Sequence, residues 1–207
     1  MAGEPWLERA ASGQLPGWTE ATPSRLAHMA RVAGVMADWA ERAGLGRHDR
    51  IRWTACGWLH DALRDAPPEH MRPWVRPPFD TLDPSFWHGP ATAERLAEEG
   101  ARDTDVLDAI RFHTLGQPGL ATIGIALMAA DFLEPGRPRA REWRADLRKH
   151  APGAIEQVGR EIIRAKIEKA LDREQTVRPE MILMWNDLTE RVKRTAHEPS
   201  PRSKSGR

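Results

Sequence analysis

The sequence predicts an all-α domain, and three observations predict it. Apolar residues recur at helical spacing through most of the 207 residues. No segment shows the alternation or β-branched density of a strand. Proline and glycine fall where such helices would begin and end. The length suits one compact domain with a real core and is short for two.

The first long helix begins at Thr22-Pro23, an N-cap residue followed by proline at the first helical position. Leu26, Met29, Val32, Ala33, Met36, Trp39, Ala40 and Ala43 then fill one arc, with Arg31, Asp38 and Glu41 outside it. His28 lies at the edge of that arc and so points toward the interior, and Gly44 ends the helix. A second helix is predicted over about 49–63, with Ile51, Ala55, Trp58, Leu59 and Ala62 as its core face. Shorter helices are predicted near 69–75, 90–99 and 104–113, and a buried one over 121–133, stopped by Pro135. Two longer helices follow, near 152–171 and 179–192. Residues 1–21 read as an N-terminal extension with Trp6 and Trp18 as docking anchors. Residues 22–195 read as the domain, and 196–207 as a disordered basic tail.

Composition narrows the function. Hydrophobic residues make up 40% and charged residues 29%, as in soluble globular chains. The net charge is +1, of which the stretch from Arg194 to Arg207 holds +3, leaving the body at −2. A general nucleic-acid-coating role therefore has no charge support. No apolar run approaches the roughly 20 residues of a membrane helix. Cys56 is the only cysteine, which excludes an intramolecular disulfide and fits a cytoplasmic setting. Nine tryptophans and no tyrosine point to packing or stacking rather than phenolic acid–base work.

Four of the eight histidines and two aspartates stand out. His28, His60, His88 and His113 fall on predicted inward faces or at helix ends, and Asp61 and Asp131 lie inside otherwise apolar helix. A buried carboxylate is costly unless it is paired or binds a cation. Imidazole and carboxylate together suit iron, manganese, zinc or a similar divalent ion. Each residue alone has a plainer reading: a lone core histidine is usually just hydrogen-bonded, and Asp131 could cap a neighbouring helix. Several such positions together favour a metal site, but their spacing names neither fold nor reaction.

The ordered segments Leu59-His60-Asp61-Ala62-Leu63-Arg64, Trp87-His88-Gly89, 109–116 (Ala-Ile-Arg-Phe-His-Thr-Leu-Gly) and 130–137 (Ala-Asp-Phe-Leu-Glu-Pro-Gly-Arg) resemble the HD superfamily of metal-dependent phosphohydrolases. The finer likeness is to its YqeK-like branch, whose assigned activity is symmetrical hydrolysis of diadenosine tetraphosphate to two ADP. The resemblance runs from about residue 25 to 190. It implies an HD-type helical bundle and two divalent metal ions, iron first and manganese as the alternative. His28, His60, Asp61 and Asp131 would hold the first metal; Asp61 would bridge to a second, bound by His88 and His113. A metal-bound hydroxide would attack phosphorus in line. The substrate would be a dinucleoside polyphosphate or related nucleotide, and a homodimer is the assembly to test.

Further roles follow around this set. Asp61 and Arg64 are the catalytic expectations, with Arg64 one helical turn after His60. That position is usually lysine in the family; arginine binds phosphate bidentately but cannot donate a proton. The plain alternative for Arg64 is a salt bridge to Asp65 or Glu69. Arg64, Thr114, Gly116, Glu134 and Arg137 are the substrate-binding expectations: a hydroxyl, a close backbone approach, and groups after the Asp131 helix able to grip or orient. Glu134, three residues after Asp131 and placed on its face, could instead steer a ligand histidine or pair with Arg137. His48, His70, His150 and His197 read as exposed, Asp65 and Asp83 as cap or turn residues, and Trp87 as core or as a stacking surface. Arg139, Arg141, Arg144, Arg148 and Lys149 read as a solvated face. Two alternatives remain beside the leading function: an HD-type nucleotidase or guanosine-alarmone hydrolase, and a catalytically silent nucleotide-binding HD protein.

Overall fold

A computed structural model describes residues 5–197, and among them there are helices and no strand. The chain runs α1 (Pro5–Ala11), α2 (Pro23–Arg42), α3 (Arg47–Leu59), α4 (Pro68–Met71), α5 (His88–Glu98), α6 (Thr104–Phe112), α7 (Thr122–Leu133), α8 (Arg141–His150), α9 (Ile155–Asp172) and α10 (Pro179–His197). Short 3-10 turns at Arg72–Trp74, Phe79–Thr81, Pro84–Phe86 and Ala151–Gly153 fill the joins. The all-α class read from periodicity is what the backbone adopts.

The axis of the bundle is α7. Ile123, Ile125, Ala126, Leu127, Met128, Ala129, Ala130 and Leu133 are all buried, so the helix is apolar nearly all round and must lie inside the domain. It touches α2, α3, α6, α8 and α9. α2 turns Met29, Val32, Ala33, Met36, Trp39 and Ala40 toward this core. Full burial of each larger side chain among them stabilises the fold by about 1.5–3 kcal/mol. A second cluster of Leu63, Met71, Val75, Trp87 and Ala91 supports the irregular stretch between α3 and α5. Trp87 is a packing residue there, its indole donating to Phe79 O at 2.9 Å. A third cluster, with Leu120, Ile163, Met184 and Leu188, seats α10.

α2 starts where its sequence dictates: Thr22 Oγ1 accepts from Arg25 N at 3.3 Å. Thr22 also donates to Asp65 Oδ2 through its backbone N (2.9 Å) and its hydroxyl (2.8 Å). This ties the start of α2 to the turn after α3. Two glycines set the closest helix approaches. A Cβ on Gly57 would meet Ala33 Cα at 2.5 Å, so α3 lies directly on α2. A Cβ on Gly89 would meet Ile110 O at 2.7 Å, which brings α5 onto the end of α6.

Two helices escaped the sequence reading. The stretch read as an extension carries α1, which packs on α3 with Leu7 and Ala10 in the core. Trp6 and Trp18 also pack against that core, and Trp18 Nε1 donates to Glu99 Oε1 at 2.6 Å. The arginine-rich segment forms α8, with no buried residue. It is not purely a solvated face, because Arg144 donates to Phe132 O and Arg148 to Leu133 O. These two cations cap the carbonyl end of α7, where positive charge is favourable. The expected disordered tail falls largely on residues 198–207, outside those described; Ala196 and His197 close α10.

Candidate metal centre

Five elements deliver the six expected ligands to one place. His28 comes from the second turn of α2, and Asp131 from the last turn of α7. α3 ends at Leu59, sooner than the predicted 63, so His60 is its C-cap and Asp61 lies in the following turn. His88 is the first residue of α5, two residues earlier than that helix was expected to start. His113 is the C-cap of α6. His28, His60, Asp61, His88 and His113 are buried; Asp131, with 21% of its side chain exposed, is the most open.

Asp61 stands between two groups. Its Oδ2 lies 3.6 Å from His28 Nε2 and 3.5 Å from His60 Nε2, and His28 Nε2 lies 3.1 Å from Asp131 Oδ1. Its Oδ1 lies 3.3 Å from His88 Nε2 and 3.5 Å from His113 Nε2. The two trios able to hold a cation among the described residues are His28-His60-Asp131 and His60-Asp61-His113.

The protons of the rings follow from their outer partners. His60 Nδ1 faces Gly57 O at 2.9 Å, His113 Nδ1 faces Ile110 O at 2.8 Å, and His88 Nδ1 faces Ser85 O at 3.2 Å. His28 Nδ1 faces the Glu134 carboxylate at 3.4 Å. Each acceptor requires a proton on Nδ1, which leaves every Nε2 as a bare lone pair. Those lone pairs face one another: His28 and His60 Nε2 at 3.3 Å, His88 and His113 Nε2 at 3.2 Å. Lone pairs converging beside carboxylates need cations between them, so the donor set fits divalent metals.

The electrostatics point the same way. Burial lowers the His60 pKa to about 4, against the pull of Asp61, so the ring is held neutral as a ligand must be. Burial likewise lowers His88. Burial pushes Asp61 up, but His60, His113 and His88 outweigh it and keep the carboxyl well below its ordinary range. Asp131 is also held low, burial being outweighed first by the His28 ring beside its Oδ1.

The residues expected to bind substrate divide. Thr114 Oγ1 lies 3.1 Å from His113 Nε2 and 3.4 Å from His88 Nε2, directly on the cluster. Gly116 adopts φ 77°, with Met184 packed where a Cβ would go. Arg64 has no ion pair with a described residue. The alternative bridge to Asp65 or Glu69 is not formed, and Asp65 is engaged by Thr22 and Arg25 instead. Its charge is nonetheless felt at His88. Arg137 Nη2 donates to Asp131 Oδ1 at 2.7 Å. Glu134 follows the end of α7 with extended backbone (φ −52°, ψ 143°), and its carboxylate lies 3.4 Å from His28 Nδ1 and 3.7 Å from Arg137 Nε, both of the contacts expected of it. There Arg31 Nε and Gly136 N donate to its Oε2 at 2.6 and 2.7 Å.

Two cations were missed in the sequence. Arg25 Nη1 donates to Asp61 Oδ2 at 2.6 Å. Its position one turn before His28 on the same helix was the available signal. Lys166 on α9 donates to Thr114 O at 3.1 Å, and burial lowers its pKa against the pull of Asp131. Nothing local in the sequence marks it, since it reaches the site only through the packing of α9. Of the remaining histidines, His48, His70 and His150 are exposed as expected, with His70 Nδ1 3.0 Å from Glu20, and the His197 side chain lies outside those described. Asp83 caps the turn at Ser85 N (2.9 Å), and Cys56 is buried in the core.

Comparison with known proteins gives the same constellation a family. The chain is 31% identical over 173 residues to a protein of Bacillus subtilis named symmetrical bis(5'-nucleosyl)-tetraphosphatase, covering 81% of this chain and 90% of that one. It is 32% identical over 130 residues to a protein of the same name from Halalkalibacterium halodurans, covering 59% of this chain and 70% of that one. The fold matches a crystal structure from Clostridium acetobutylicum described as a predicted HD superfamily hydrolase involved in NAD metabolism. The TM-score is 0.73 at 22% identity, over 92% of this chain and all of the other. The HD domain family model matches residues 25–191, which include all six clustered side chains, and the chain belongs to the HD-domain family.

Proposed function

We propose that this protein hydrolyses dinucleoside tetraphosphates symmetrically, diadenosine tetraphosphate giving two ADP. The observation that carries the reading is the division of Asp61, one oxygen toward His28 and His60 and the other toward His88 and His113. That arrangement suits two divalent metals sharing one carboxylate, with iron or manganese as the ions. The names and coverage of the two curated relatives support the substrate class. When bound, the metals supply Lewis-acid polarisation of phosphate oxygens and an activated water.

The chain's own residues do the rest. The carbonyls of Gly57, Ser85 and Ile110 and the carboxylate of Glu134 fix the four rings in the tautomer that points Nε2 inward. Glu134 thus acts as an orienting group for His28. Thr114, next to two of those nitrogens, offers a hydroxyl to a phosphate oxygen. Arg64, Arg137 and Lys166 supply positive charge for the oxygens that gather charge in the transition state. Symmetrical cleavage expels a nucleoside diphosphate, whose terminal phosphate has a second pKa near 6 and leaves without needing a proton. The inability of Arg64 to act as an acid is then no obstacle.

Incubation of the purified protein with manganese or iron and diadenosine tetraphosphate, followed by separation of products, tests this. Two ADP as sole products are expected. ATP plus AMP would reject the symmetrical reading. Inorganic phosphate from mononucleotides without dinucleotide turnover would move the assignment to a nucleotidase.

A further inference from the structure

A cavity of about 450 Å³ opens beside Thr114, within the size range of small-molecule sites. Phe79, Phe86 and Phe112 line it, with Thr114, Gln117 and Glu180 among its polar groups. The rings of Phe79 and Phe112 lie 5.5 Å apart and tilted. Most of the polar wall is committed elsewhere. The Thr81 hydroxyl donates to Pro78 O at 2.9 Å, Arg111 pairs with Asp108, and Thr114 faces the histidines.

Glu180 differs. Its Oε2 is buried and has no hydrogen-bond partner, and its carboxylate forms no ion pair with a described residue. A carboxylate accepts only, so this buried oxygen of a half-buried side chain is free to take a donor from a ligand in the cavity. The same charge would repel a polyphosphate. The phosphates therefore belong at the Thr114 end, against the histidines, and what reaches Glu180 must be an uncharged, flat, donor-bearing group.

We propose that this cavity is the nucleoside site and that Glu180 accepts a hydrogen bond from the nucleoside, either from the exocyclic amine of the base or from a ribose hydroxyl. This rests on the proposed nucleotide substrate and assigns the residue that selects its non-phosphate end. The phenyl rings give the base apolar contact, and Glu180 sets orientation by demanding a donor where the cavity would otherwise leave an oxygen unpaired.

Calorimetric titration of the manganese-loaded full-length protein with ADP tests it. Glu180→Leu, which removes the acceptor, is expected to weaken ADP binding by about tenfold or more, the usual effect of losing a hydrogen bond to a charged group. Three analogues identify the donor. If the amine donates, the purine riboside diphosphate lacking it binds the parent about as weakly as ADP binds the variant. If the ribose donates, the 2'-deoxy or 3'-deoxy analogue does so. In either case Glu180→Leu abolishes the discrimination. Unchanged ADP affinity in Glu180→Leu, or parent affinity equal for ADP and all three analogues, overturns the proposal. Should Glu180→Leu lose its cooperative melt, Leu183→Trp at the exposed rim fills the same cavity. It is expected to weaken ADP binding equally, and parent-like affinity overturns the proposal. Turnover of diadenosine tetraphosphate is scored separately. Discrimination among nucleosides without turnover removes the proposed reaction and leaves this site, and turnover without discrimination does the reverse.

Discussion

The two sides of Asp61 are built from different materials. On the Oδ2 side, His28 and His60 are joined by a second carboxylate, Asp131, and a third, Glu134, backs His28. On the Oδ1 side, His88 and His113 have only backbone carbonyls behind them and the Thr114 hydroxyl beside them. The first side thus offers a cation one more carboxylate ligand and, at His28, a ring backed by a carboxylate, although Arg25, Arg31 and Arg137 pair with its acids. The difference predicts unequal affinity: one tightly held metal, and one that exchanges more readily and lies nearer the cavity beside Thr114.

Removing the carboxylate that both sides share should cost the most. Asp61→Ala should eliminate both metals and all activity, read as metal content after desalting and as product formed. A fully active Asp61→Ala would end the assignment. His88→Ala should sharpen the contrast, losing about one equivalent of metal and most activity while the other equivalent stays. If it loses both, the two sides are not separable. Glu134→Gln should weaken metal binding on the first side by about 10–100-fold, the usual effect of losing a carboxylate behind a ligand histidine. Competition with a chelator measures it, and an equal loss on the second side would contradict the division.

Acidity should have a smaller, graded effect on the metal-free protein. His60, held at about 4 in the fold against an ordinary 6.5, binds its proton more readily when unfolded. Stability from its neutral ring is therefore full above about pH 6.5 and is lost as pH falls toward 4. Asp61 and Asp131, both held low, extend the loss further into acid. Denaturant midpoints of the metal-free protein between pH 7 and 4 should decline monotonically. A flat profile would mean that His60 is not held neutral.

What the sequence made legible was the part whose residue types are out of place. Histidines and aspartates in apolar helix are conspicuous, and all six such positions meet in space. α8 was not legible because its arginines look like any solvated surface; only the carbonyls of Phe132 and Leu133, a tertiary fact, give two of them work. α1 was hidden by its length of seven residues, too short to be stable without the face of α3 beneath it. Glu134 reaches His28 from extended backbone just past the end of α7, so helical spacing from Asp131 does not describe how it gets there. Lys166 and Glu180 take their meaning from what α9 and α10 pack against, which no local pattern records.

Gly57 carries a consequence for how far the protein can drift. Its missing side chain lets α3 rest on the backbone of α2, and its carbonyl holds the ring of His60. Separation of the two helices and aim of the ligand are thus vested in one position. A single added methyl would push α3 off Ala33 and carry His60 away from His28 in the same movement. Random variation here has no neutral neighbours to explore, and a library that samples position 57 should return glycine whether it is selected for thermal resistance or for metal retention.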